Sequence, residues 1–212
     1  MSAWPYKITD ELERLICEYT GAPYCIAVDN NCNGIFLCLR YWTLKNGRTA
    51  EGMAIPKHTY IGVPYAIRQA GFNPVANRDF QQRDGRLMGE YKIGKTNIFD
   101  SALRFTTGMY LPGAMQVLSF TGPFKHLKTG KGGAIITDNK DAAAWLRRAR
   151  FSGRNEVPYD VDTFDMQEGY NMYLPSTLAA HGVHMFPGIA AVNEDLNLAY
   201  PDWSVHPAFT CI

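Results

Sequence analysis

Two kinds of block recur along this chain. Short apolar runs at Tyr24 to Val28, Ala54-Ile55, Asn97 to Asp100, Met115 to Phe120 and Ala134 to Thr137 predict buried strands. Longer stretches with apolar residues three and four apart predict helices. The first carries Leu12, Leu15, Ile16 and Tyr19 on one face, with Thr9-Asp10 as a cap and Gly21 as a stop. A second starts at Asn30 or Asn31 and runs to about Trp42, and a third spans Tyr60 to Ala70 and stops at Gly71. A fourth, capped by Asn139 or Asp141, reaches Arg150, and a fifth runs from Ser176 to about Phe186. Residues 75–94 are polar and contain glycine, which predicts an irregular excursion, and residues 152–172 are loop-rich. Strands alternating with helices predict an α/β three-layer sandwich with a mostly parallel sheet covered on both faces.

Composition narrows the class. The chain has 212 residues, 46% hydrophobic and 19% charged, enough for one globular domain with its own core. A net charge of +1 offers no footprint for nucleic acid. No apolar run reaches membrane-spanning length, and the opening Met-Ser-Ala-Trp-Pro-Tyr-Lys has no signal-peptide pattern. Five cysteines without a metal-like Cys-x-x-Cys pair fit reduced thiols and a cytoplasmic setting. Cys17, Cys25 and Cys38 sit at apolar spacing and read as core.

Chemistry concentrates in the run from Ser119 to Thr137. It sets Ser119, Lys125 and Lys128 beside the glycines Gly130, Gly132 and Gly133, with an apolar stretch on either side. A lysine held between packed strands loses solvation, which lowers its pKa and frees the amine for Schiff-base chemistry. Glycines let backbone N–H groups come close to an anion. The competing reading is a surface lysine in a basic turn.

This run resembles the Schiff-base segment of the DegT/DnrJ/StrS-type sugar aminotransferases, Ser-Phe-x-x-x-Lys-x-x-Thr-Thr-Gly-Glu-Gly-Gly. Four further stretches resemble that family in the same order: residues 27–34, Ile55 to Tyr60, Ile98 to Ala102, and Gly169 to Tyr173 followed by Ala179-Ala180. The resemblance covers residues 24 to about 186. It implies the large domain of a fold type I enzyme dependent on pyridoxal 5′-phosphate (PLP). Lys125 would carry the cofactor as a Schiff base and act as general acid/base, with Lys128 as the alternative because the run is one residue longer than the pattern. Asp100 would pair with the pyridine nitrogen. Asn31, Cys32, Asn33 and Ser119 would form the phosphate cup. Tyr60 would stack on the ring, and Asn171 would reach a neighbouring subunit's cofactor, which implies a homodimer with shared sites. The implied reaction moves an amino group from an amino acid, usually glutamate, to a nucleotide-linked keto-sugar. The alternatives are a PLP- or PMP-dependent sugar dehydratase, for which His126 adjoins Lys125, and a non-catalytic homologue.

Departures from the pattern are also legible. Leu103, followed by Arg104, stands where the family often has Gln or His, Lys131 replaces a glutamate, and Tyr173 replaces an arginine. The chain stops soon after the Ala-Ala helix, so the resemblance implies a single reduced large domain over residues 1–212 without a small domain. Its tail, 187–212, is expected to be extended and to pack on a partner subunit. No metal site is expected: His181 and His184 have no third ligand nearby and read as helix histidines. Arg147, Arg148, Arg150 and Arg154 read as a solvated basic face, with a contact to a nucleotide-sugar diphosphate as the alternative.

Overall fold

The computed structural model describes residues 6–77, 82–83, 86–162 and 168–210. The first five residues of the opening segment read for a leader and the fifth cysteine, Cys211, lie outside them, as do parts of the 75–94 and 152–172 stretches. In chain order the elements are α1 (Lys7–Thr20), β1 (Tyr24–Val28), α2 (Asn31–Asn46), β2 (Met53–Pro56), α3 (Gly62–Gln69), β3 (Pro74–Asn77), β4 (Gln82–Arg83) and β5 (Arg86–Lys92). Then follow β6 (Ile98–Leu103), β7 (Met115–Ser119), β8 (Gly133–Thr137), α4 (Lys140–Arg150), α5 (Ser176–Met185), β9 (Asn197–Leu198) and α6 (Pro207–Thr210).

One sheet organises the domain, in the order β1-β8-β7-β6-β5-β4, with β9 added to β5. Alternate residues of its strands feed two cores. Cys25, Ala27, Leu118, Ala134 and Ile136 face the layer of α1 and α5, meeting Leu12, Ile16 and Ala179. Ile26, Val28, Val117 and Ile135 face the layer of α2, α3 and α4, meeting Ile35, Leu39 and Leu146. The three-layer sandwich is therefore present.

The sheet is mixed rather than mostly parallel. Among the described residues only β6 and β7 pair in parallel within it. β8 lies antiparallel to both β1 and β7, and β5 lies antiparallel to β6. The cause is the connections: β5 turns back into β6 at residues 93–97, and β7 returns as β8 through a loop that carries no helix, so neither is a crossover. A second, parallel pair, β2 and β3, stands apart.

Local differences from the sequence reading have local causes. The α1 helix begins at Lys7 with no side-chain cap, because Tyr6 is held edge-on by Phe151 and Tyr173, with ring centroids 5.1 and 5.6 Å away. The 75–94 stretch holds three strands instead of an excursion. Residues 187–210 are extended only in part, and they fold back on their own chain through β9, α6 and a 3₁₀ turn at Trp203–Val205.

Candidate active site

β1, β6 and β7 run in one direction and end at one edge, the position where open α/β sheets bind ligands. The α2 helix starts there. Asn30 is its N-cap and accepts the Asn33 N–H at 2.9 Å. β8 comes close to this turn because residue 133 is glycine: a methyl group there would stand 2.6 Å from the Leu118 carbonyl and 3.0 Å from the Asn31 nitrogen.

A cavity of about 600 Å³ opens at this edge. Asn31, Cys32 and Asn33 line it from α2, Tyr60 from the loop before α3, and Asp100 from β6. Ser119 and Lys125 line it from the end of β7 and the loop beyond. Asn171 is not brought to the cavity. It is exposed and bridges Phe151 through its backbone. Lys128 is exposed and outside the lining, so of the two lysines only Lys125 enters the site.

Lys125 is 8% exposed, and its amine donates to the Ala102 carbonyl at 2.5 Å. Burial lowers its pKa below the ordinary lysine value, against the opposing pull of Asp100. Asp100 is 3% exposed and accepts three hydrogen bonds: Tyr91 hydroxyl at 2.7 Å, Asn31 amide at 3.1 Å and Ala102 N–H at 3.0 Å. Burial raises its carboxyl pKa, while those bonds and the Lys125 charge work the other way. The Tyr91 hydroxyl is itself paired with Thr59 at 2.8 Å. Asp100 thus sits at the centre of a chain of polar groups fixed on β5, β6, α2 and the loop after β2.

That network includes residues the motifs did not single out. Tyr91 lies in the stretch expected to be irregular, and no local pattern marks it. Asn31 was expected in a phosphate cup, but its side-chain amide is committed to Asp100 and to the Val117 carbonyl at 2.9 Å. The Asn33 side chain is held by Asp29 at 2.8 Å. What remains toward the cavity from this turn is the N-terminal end of α2, with Ser119 and Thr121 on the facing wall. Burial, with Asp100 and Asp29 adding to it, pushes the Cys32 thiol up to about 12, which keeps it protonated.

The departures also have places. Leu103 is buried and lines the cavity with an apolar surface. Arg104 turns away to pair with Glu90 and Asp195. Tyr173 packs on Phe151 and Tyr6. The His126 ring meets the Glu194 carbonyl at 3.1 Å and is outside the lining. Arg147, Arg150 and Arg154 are not a free basic face, being paired with Glu13, Glu156 and Asp162. Among the described residues no cluster of three His, Cys, Asp or Glu side chains could hold a metal ion. No helix among them is long and apolar enough to cross a membrane.

Known proteins match this chain in sequence and in fold. The model of the DegT/DnrJ/EryC1/StrS aminotransferase family matches residues 3–84 and 111–197, most of the chain. Asp100 and Tyr91 fall between the two matched segments. A stretch of 66 residues is 35% identical to the dTDP-3-amino-3,6-dideoxy-alpha-D-galactopyranose transaminase of Aneurinibacillus thermoaerophilus, covering 31% of this chain and 17% of that protein. The fold is shared with Helicobacter pylori PseC, an aminotransferase involved in the biosynthesis of pseudoaminic acid. That match has a TM-score of 0.64 at 13% identity and covers 89% of this chain and 64% of that one. The fold is also shared with the GDP-4-keto-6-deoxymannose-3-dehydratase ColD, with a TM-score of 0.64 at 16% identity, covering 86% of this chain and 61% of that one. The chain thus spans less than two thirds of the length of these proteins.

Proposed function

This chain belongs to the DegT/DnrJ/EryC1/StrS aminotransferase family, and from that premise we propose that it is a PLP-dependent aminotransferase acting on a nucleotide-linked keto-sugar, with glutamate as amino donor. The observation that carries the reading is the Lys125 amine, desolvated inside the cavity and within the field of the buried Asp100 carboxylate.

The residues present fit PLP. Its phosphate dianion suits the α2 N-terminus with the Ser119 hydroxyl. Its protonated ring nitrogen suits Asp100, and its aldehyde suits a lysine amine of lowered basicity. When bound, PLP supplies an electron sink for a carbanion at an amino-bearing carbon.

The protein's own part follows from the geometry. Lys125 holds its amine at the Ala102 carbonyl, and burial shifts it toward the neutral form, the form that takes a proton from substrate and returns it. Asp100 keeps a fixed acceptor orientation because Tyr91, Asn31 and the Ala102 N–H hold both of its oxygens. Tyr60, 55% exposed at the cavity, offers a ring face for stacking. The exposed Asn171 is the candidate contact to a second copy in a homodimer. His126 favours the aminotransferase over a dehydratase, since its ring is turned to Glu194 and away from the site.

The test is direct. PLP is added to the purified protein, the product is reduced with borohydride, and the modified peptide is mapped. A pyridoxyl group on Lys125 supports the reading, and an unmodified protein sinks it. Amino transfer from glutamate to a panel of nucleotide-linked keto-sugars then tests the substrates.

A further inference from the structure

One wall of the cavity comes from a segment that carries no family motif. The family match ends at residue 197, yet Leu198 and Tyr200 both line the site. The segment is pinned on both sides of Tyr200. Before it, Asp195 takes the Arg104 guanidinium through two hydrogen bonds, at 2.9 and 2.6 Å. The Leu196 N–H then donates to the Leu103 carbonyl at 2.8 Å, and β9 pairs with β5. At Tyr200 itself the carbonyl meets the His58 ring at 3.0 Å. After it, the Trp203 N–H donates to the Lys57 carbonyl at 3.1 Å, and its indole donates to the Pro56 carbonyl at 2.7 Å.

Residue 89 makes room for this arrangement. Gly89 has φ +62°, and a methyl group on it would collide with the Asp195 carboxylate. The outcome is a side chain with a fixed base. The Tyr200 ring meets Tyr60 edge-on, centroids 6.3 Å apart and planes at 64°. Among the described residues its hydroxyl has no hydrogen-bond partner. Burial, with Asp100 adding to it, pushes the phenol up to about 12, so it is uncharged at neutral pH and does not repel an anionic ligand.

We propose that Tyr200 is a cofactor-contact residue: with Tyr60 it forms an aromatic corner that receives the pyridine ring of PLP. Two rings set at an angle offer a face and an edge, the arrangements that aromatic partners prefer. The inference rests on the PLP reading above and adds to it a residue from outside the family's motifs.

Equilibrium titration with PLP, followed by quenching of protein fluorescence, tests it without any turnover. Tyr200→Ala is expected to weaken PLP binding about fivefold to tenfold. Tyr200→Phe, which keeps the ring, stays within about threefold of the original. Tyr200→Leu keeps apolar bulk without a ring and is expected to behave like Tyr200→Ala, and it serves if the alanine variant fails to fold. Leucine and alanine variants that bind PLP like the original chain overturn the proposal. So does a phenylalanine variant as weak as alanine, because the contact then runs through the hydroxyl. If the unaltered chain binds no PLP and borohydride leaves Lys125 unmodified, the cofactor reading itself falls. Normal binding with no Tyr200 effect removes only this inference.

Discussion

Two charged clusters are buried in this molecule, and they are built in opposite ways. At the β1 edge of the sheet, where side chains of α1 and α4 meet, Arg150 is fully buried and meets Glu13 at 2.5 Å, the Ala27 carbonyl at 2.6 Å and Glu156 at 2.9 Å. Arg147 adds a second bond to Glu13, at 2.6 Å. Opposite charges touch, and Arg150 itself is shut off from solvent, although Arg147 and Glu156 border a shallow cavity of about 310 Å³. At the sheet edge, Lys125 meets a neutral carbonyl and Asp100 is held by neutral donors. Among the described residues no ion pair joins the two. Direct pairing fixes a fold and silences the groups it joins. Charges surrounded by neutral dipoles, facing open space, stay available to a ligand of complementary charge.

The comparison can be broken from either side. Lys125→Ala is expected to lower amino transfer by roughly 10⁴-fold, since it removes both attachment and proton transfer, while Lys128→Ala leaves it unchanged. A single-turnover assay decides this, and an active Lys125→Ala would erase the distinction between the clusters. Arg150→Ala should do the reverse. It leaves Glu156 without its partner and Glu13 with Arg147 and the Ala27 N–H, and is expected to cost about 3–5 kcal/mol in urea unfolding, with PLP affinity unchanged in the fraction that folds.

Asp100→Asn is a finer probe. It keeps the shape and removes the charge, and a loss of roughly 10²-fold in amino transfer is expected, with PLP still attached to Lys125. The smallest effect is a pH dependence. Burial lowers the Lys125 pKa in the folded chain relative to the unfolded value of 10.5. Carrying the proton therefore costs the folded state, fully below the lowered value and not at all above 10.5. Without cofactor, Lys125→Met should be more stable than the original chain at neutral pH, and the gap should close as pH rises toward 10.5. A constant gap would mean that the amine is solvated after all.

What the sequence disclosed was local. The strands β1 and β8 are short apolar runs and β7 breaks its run at Gln116, and the caps Asn30 and Asn139 and the left-handed Gly21 mark real helix ends. Lys125, Asp100 and the start of α2 stand out because they lie in short motifs, while the register at Lys125 stays open against Lys128 in the sequence, and it is the cavity that takes in Lys125 alone of the two. Strand direction was not legible, since it depends on whether a connection crosses over or turns back. β5 was missed because half of its residues are polar, and its role is to place Tyr91 against Asp100 across the sheet. Tyr200 has no local signal at all; only its packing against a segment 140 residues earlier in the chain brings it to the cavity. Asn31 was recognised as a site residue, but its amide turned inward, a choice set by the neighbouring β6 and β7.

The glycine at position 89 carries a consequence for how this protein can change over generations. The space its missing side chain leaves is filled by a carboxylate from far along the chain. A larger residue at 89 would have to hold a positive φ and push the Asp195 carboxylate aside, and losing Asp195 leaves Arg104 with Glu90 alone. An exchange that brought in a foreign tail would therefore have to find its own way to fill that gap and to hold Arg104 beside the site.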